Sequence, residues 1–293
     1  MATHQDSRTT MVTFPSHSIS ASGPPSVLVA TSAFGHSLIA EHGQAAILPR
    51  LKEAGADGVE IRRELLPEGF DDFEALGGAC AEQSLSLVYS AADALWSGDS
   101  LASGLMTRLE ESRRLGAVAV KFSLGQYPPD ASPSSRANAW QRLNERLTPP
   151  DMPLLLVEND QTQDGGTVAP LAASLADADA AGCPLFMTFD IGNWHWVGAD
   201  PLAAAERLGP YVRYLHCKGV VFSQGRPHAS VPDTEELKGW QGLMAHFPQG
   251  VTRAIEYPLQ SPQLQDFTRG QLNRLRALHA CVQDPGTPPV IND

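Results

Sequence analysis

Four residues able to bind a cation each close a short apolar run: Glu158 in PLLLVEND, Asp190 in LFMTFDIGN, His216 in RYLHCKG and Glu256 in RAIEYPL. Three carboxylates and one imidazole form a mixed oxygen and nitrogen donor set suited to a divalent ion. The donors are 32, 26 and 40 residues apart. A strand, its returning helix and two loops take roughly 30 residues in an α/β repeat. The spacing therefore assigns each donor to the carboxyl end of a different strand, where barrel enzymes keep their chemistry. A buried histidine standing alone is more often a hydrogen-bonded core residue. Four compatible donors at four consecutive strand ends point instead to a metal centre.

The elements that would position these donors follow from hydrophobic periodicity. Eight strand-like runs occur in order: SVLVATSAFG, DGVEIRREL, LSLVYSAAD, AVAVKFSLG, PLLLVEND, PLFMTFDIG, YVRYLHCKG and VTRAIEYPL. Stretches of helical period separate them. Asp200 is an N-cap followed by proline at the first helical position, and Gly209 ends that helix. Gly55, Gly116 and Gly182 stop other helices, Pro49 is tolerated in a first turn, and Pro149 with Pro150 ends a helix over 133–147. Residues 220–233 show neither period and are expected to form a long loop before a helix across 235–247.

Regular alternation of this kind predicts a parallel sheet with right-handed crossovers. An open dinucleotide-binding sheet would carry a Gly-rich first turn, and AFGHS has one glycine. The fold class expected is α/β, a (β/α)8 TIM barrel forming a single domain over residues 26–282. A disordered tail is expected over 1–25 and a Pro-rich one over 283–293.

Composition narrows the function. The chain of 293 residues has a net charge of −12 and no run of Lys or Arg, which argues against nucleic acid as a partner. Cys80, Cys183, Cys217 and Cys281 lack CxxC spacing, so free thiols and a cytoplasmic location are expected. The first 24 residues, rich in Ser, Thr and His, lack the basic start and apolar centre of a signal peptide. No apolar run approaches the length needed to span a membrane.

The blocks VEND, FDIGN, LHCKG and IEYP, together with GADGVEIR in the second strand, resemble the xylose isomerase-like TIM barrels. This superfamily contains sugar isomerases, ketose 3-epimerases, inosose and dehydroshikimate dehydratases, and endonuclease IV. The resemblance spans residues 26–282. It implies one divalent ion (Mn, Mg or Co, with Zn admissible) held by Glu158, Asp190, His216 and Glu256. It further implies that Glu158 and Glu256 exchange protons beside the carbonyl of a polyhydroxy carbonyl substrate through an enediolate whose charge the ion offsets. The first alternative is a dehydratase that expels a β-hydroxyl from the same intermediate. A remote one is DNA repair of the endonuclease IV type, which uses three zinc ions and further histidines. Four of the nine histidines here precede residue 43. A homodimer is in keeping with the family.

Further residues are candidates for the substrate. Family epimerases often have a histidine three residues after the strand-six aspartate, and this chain has Asn193 there, with His195 two residues on. Trp194 beside His195 could wall a sugar ring, as could Trp196, and packing beneath a loop is the plain alternative for each. Lys218 shares a strand face with His216 and could reach a substrate oxygen or pair with a carboxylate. Glu60 and Arg62 share a face at the end of the second strand, where an internal ion pair is the simpler reading. Lys121, Arg226 and His228 are lesser candidates. EYPLQSP after the eighth strand lacks the glycine of a phosphate-binding turn, which favours an unphosphorylated sugar, cyclitol or keto acid.

Overall fold

A computed structural model describes residues 25–128, 131–147 and 151–279. The ring consists of β1 Val27–Ala30, β2 Gly58–Arg62, β3 Ser86–Ser97, β4 Ala119–Gly125, β5 Leu154–Glu158, β6 Leu185–Asp190, β7 Val212–Cys217 and β8 Thr252–Ile255. Each strand pairs in parallel with the next, and β8 pairs with β1, so the sheet closes. The result is the expected eight-stranded TIM barrel. Closure leaves the barrel strands no free edge.

The register sorts interior from exterior residues. Leu28 lies opposite Ala254, Val88 opposite Ala119, Lys121 opposite Leu156, Asp190 opposite His216, and Tyr214 opposite Thr252. Alternation along each strand then puts Glu60, Arg62, Lys121, Glu158, Asp190, Tyr214 and His216 inside the barrel. Toward the amino ends of the strands the interior is apolar. Leu28, Val88, Ala119, Leu156, Tyr214 and Ala254 form a buried cluster of their own, with Leu154 and Phe186 packed against it. Charged residues occupy the level above. The outward faces of the strands and the inner faces of the helices form the main core, in which Trp96 packs edge-on to both Tyr127 and Trp140.

Several helix boundaries have the expected causes. Asp200 accepts from the Leu202 amide and caps Pro201–Leu208. Pro49 lies in the first turn of Leu48–Ala54, and Gly55 ends that helix with φ 88°. Two differences concern strands. β3 runs on to Ser97 and folds back on the short strand Ser100–Leu101. The expected loop over 220–233 is instead an antiparallel hairpin, Gly219–Ser223 with Arg226–Ser230. Gln224 and Gly225 both have positive φ (50° and 73°), the backbone of a two-residue hairpin turn whose twist matches the strands it joins. Phe222 and Val221 are exposed on this hairpin, which is why a hydrophobic period is missing. The helix that follows is Thr234–Leu243.

Cys80, Cys183 and Cys217 are free and buried. Among the described residues no helix is long and apolar enough to cross a membrane. The tails expected over 1–25 and 283–293 lie outside the described residues apart from Pro25, as do Pro149, Pro150 and Cys281.

Candidate metal centre

Glu158 and Asp190 are the last residues of β5 and β6, His216 is the penultimate residue of β7, and Glu256 follows β8. One donor atom from each lies within 4.8 Å of the others. His216 is fully buried, and its Nε2 is 2.6 Å from Glu60 Oε2. A carboxylate at that nitrogen fixes the ring and turns Nδ1 toward the other donors. Nδ1 is 2.8 Å from Glu158 Oε1, 3.1 Å from Glu256 Oε2 and 3.8 Å from Asp190 Oδ2.

Asp190 has a divided role. Its Oδ1 accepts from the amides of Gly192 and Asn193 and shapes the turn after β6. Its Oδ2 is buried and faces Lys218 Nζ at 2.7 Å, and Glu158 Oε1 faces His216 Nδ1 at 2.8 Å. Buried carboxylate oxygens that face positive charge instead of backbone amides fit a cation. With an imidazole nitrogen whose ring is anchored from behind, they form a set that fits one divalent ion.

Three cationic side chains enter the same space. Lys121 Nζ is 2.7 Å from Glu158 Oε2 and 3.4 Å from Glu60 Oε1. Lys218 Nζ is 2.7 Å from both Asp190 Oδ2 and Glu256 Oε2. Arg62 Nη1 bridges Glu60 at 3.1 Å and Glu256 at 2.7 Å, while its Nε binds Glu64. Burial by itself would raise the Glu60 and Glu256 carboxyls, but His216 with Lys121, and His216 with Lys218, outweigh it and hold both groups below the usual range. Glu158 is likewise lowered against burial, by Lys121 and His216. Asp190 goes the other way: burial lifts it to about 7 despite Lys218. Burial would lower the His216 pKa, yet Glu256 and Glu60 raise it well above the ordinary value.

The remaining candidates separate by position. Glu60 and Lys121 are buried at the centre. Arg62 is at the mouth, and its Nη2 has no hydrogen-bond partner among the described residues. Asn193 is buried with its amide engaged, donating to the Asn159 carbonyl and accepting from Gln161. Trp194 is fully buried against Phe189, whereas Trp196 lies under Lys218, whose Nζ is 5.9 Å from the ring centroid. His195 is exposed and packs edge-on to Phe222 of the hairpin. Arg226 and His228 lie on the hairpin, opposite Ser223 and Val221.

One residue of the site was missed in the sequence. Asn159 is fully buried, and its side chain accepts from the Asp190 amide and donates to the Asp190 carbonyl. It thus ties the end of β5 to the end of β6 and sets two donors at a fixed separation. The only signal was an Asn directly after a strand-end Glu.

No family model matches the chain, and no curated protein matches it. Solved structures do. A xylose isomerase domain containing protein from Salmonella typhimurium LT2 superposes with a TM-score of 0.62 at 17% identity, covering 86% of this chain and 96% of that one. D-psicose 3-epimerase from Clostridium cellulolyticum H10, solved with D-tagatose, gives 0.61 at 11% identity over 87% and 100%. A probable 3-DHS dehydratase from Bacillus anthracis gives 0.59 at 18% over 85% and 98%. One fold thus serves an epimerase and a probable dehydratase, so likeness at this level speaks to architecture. The architecture of this chain is the TIM barrel that these solved structures share.

Proposed function

We propose that the protein is a divalent-metal-dependent isomerase or epimerase acting on a small, unphosphorylated polyhydroxy carbonyl compound. The observation that carries this reading is the exposure of the four donors. The side chains of Glu158 and Glu256 remain 15% and 12% accessible, while those of Asp190 and His216 are at 0%. The two glutamates stand on β5 and after β8, three strands apart around a ring of eight. They therefore approach the open end from strands well separated around the ring, which suits a pair exchanging a proton across one substrate carbon.

A hydrogen beside a carbonyl is too weakly acidic for a carboxylate acting alone. A bound divalent ion would polarise that carbonyl and offset the charge developing on its oxygen. The protein's own groups supply the rest. Glu158 and Glu256 are both held ionised by their neighbours and can accept a proton. Either glutamate can therefore start, one taking the proton from one face of the carbon while the other, once protonated, returns a proton to the opposite face. Lys121 orients Glu158, and Arg62 orients Glu256 while keeping Nη2 free for a substrate oxygen.

The test is solvent deuterium incorporation followed by NMR, with metal-loaded and chelator-treated protein, over a panel of ketoses, inososes and keto acids. Metal-dependent exchange beside the carbonyl with no loss of water is expected. Exchange accompanied by an enone product would transfer the assignment to the dehydratases. If every compound stays unexchanged while the ion binds, the reading fails for this substrate class.

A further inference from the structure

We propose that Lys218 is a built-in rival of the divalent ion, its ammonium group occupying the oxygens the ion must take. This inference rests on the metal reading above. Of the three carboxylate oxygens nearest His216 Nδ1, two are Glu256 Oε2 and Asp190 Oδ2. Lys218 Nζ lies 2.7 Å from both. An ammonium at hydrogen-bond distance from two ligand oxygens satisfies much of their demand for positive charge, and the ion cannot reach those oxygens until it leaves.

Lys121 provides the contrast. Its Nζ holds Glu158 Oε2, whereas the Glu158 oxygen turned to His216 Nδ1 is Oε1. Lys121 Nζ also lies 3.5 Å from His216 Nδ1, but it is not within 4 Å of Asp190 Oδ2 or Glu256 Oε2, so it competes for fewer of the ion's ligands than Lys218 does.

Lys218 also has somewhere to go. Its stem passes over bare backbone at Gly192, where a Cβ would come within 2.7 Å of Lys218 Cγ and 3.2 Å of Cε. The Trp196 ring, 5.9 Å from Nζ, offers an aromatic face that can receive the displaced ammonium. Binding of the ion is thus an exchange of cations: Lys218 moves off Asp190 and Glu256 toward Trp196 and the mouth. Without an ion the same lysine keeps the acidic centre neutralised and folded.

Mn2+ titration by calorimetry and electron paramagnetic resonance, with melting curves in chelator, tests this on the full-length wild type, Lys218→Met, Lys218→Gln and Lys121→Met. Lys218→Gln keeps a hydrogen-bond donor near the two oxygens and guards against simple misfolding of Lys218→Met. Both Lys218 variants should bind Mn2+ at least roughly ten-fold more tightly than wild type, and Lys121→Met should gain less. Wild-type melting should barely respond to chelator, while the Lys218 variants should melt lower once stripped. Equal or weaker Mn2+ binding by Lys218→Gln overturns the rivalry and leaves the metal reading standing. Absence of Mn2+ binding in wild type and in both Lys218 variants overturns the metal reading itself.

Discussion

Glu158 and Glu256 differ from His216 in what their loss should do. A Glu→Gln change at either keeps an oxygen donor but removes the base, so turnover should fall by at least roughly 10²-fold. Metal content should fall less than in His216→Ala, which deletes a donor outright; metal analysis beside rate measurements checks the contrast. Near-normal rates in both Gln variants would remove the acid-base assignment. Asp190 and His216 together set the pH response. Asp190 is raised to about 7 by burial and His216 well above its ordinary value by the carboxylates around it, so the ion must displace a proton from each, and apparent affinity should drop as pH falls from about 8 to 6. A Mn2+ titration flat over that interval would mean that neither group changes its protonation on binding there. The four donors were legible in sequence because each combines a ligating side chain with an apolar run. Asn159 was not, and Lys121 ranked only as a lesser candidate, since an asparagine beside a glutamate and a lysine inside a strand gain their full meaning only when neighbouring strands bring partners to them.

The strands and helices were largely readable because a parallel barrel strand, buried on both faces, appears as a continuous apolar run. The hairpin over Gly219–Ser230 escaped because most of its residues are exposed or half-buried and carry no hydrophobic period, and its turn signal is a single Gly225 after Gln224. Its root is nevertheless well held. Asp233 accepts from the Glu236 amide, and Glu236 returns a bond to the Asp233 amide, completing a capping box. Glu236 Oε1 also accepts from the Val220 amide in the first hairpin strand. One carboxylate therefore starts a helix and pins a hairpin. Asp233→Ala should cost about 1 kcal/mol in thermal or urea unfolding. Glu236→Ala should in addition speed proteolysis at the hairpin, and an unchanged cleavage rate would show that the hairpin is held by other contacts. Asn159→Ala, which frees the backbone of Asp190, should cost about 2–3 kcal/mol and lower metal content, measurable by melting and metal analysis.

For the whole molecule, the main core runs around the barrel without a break, from Val27 through to Leu278. Unfolding in urea should accordingly be one cooperative transition, with tryptophan fluorescence and far-ultraviolet circular dichroism coinciding. Separate midpoints would instead divide the ring into independently stable parts. The fold class followed from chain length and alternation, but the balance inside the barrel did not. Glu60, Glu158, Asp190 and Glu256 face Lys121, Lys218 and Arg62 there, and no count along the chain reveals which charges will share one interior. Beneath them the apolar cluster of Leu28, Val88, Ala119, Leu156, Tyr214 and Ala254 seals the amino end. With that end packed, an ion or a substrate reaching the four residues would have to enter at the carboxyl ends of the strands. A substrate seated at the glutamates would cork the ion beneath it, so chelators should strip the protein more slowly in saturating substrate than alone.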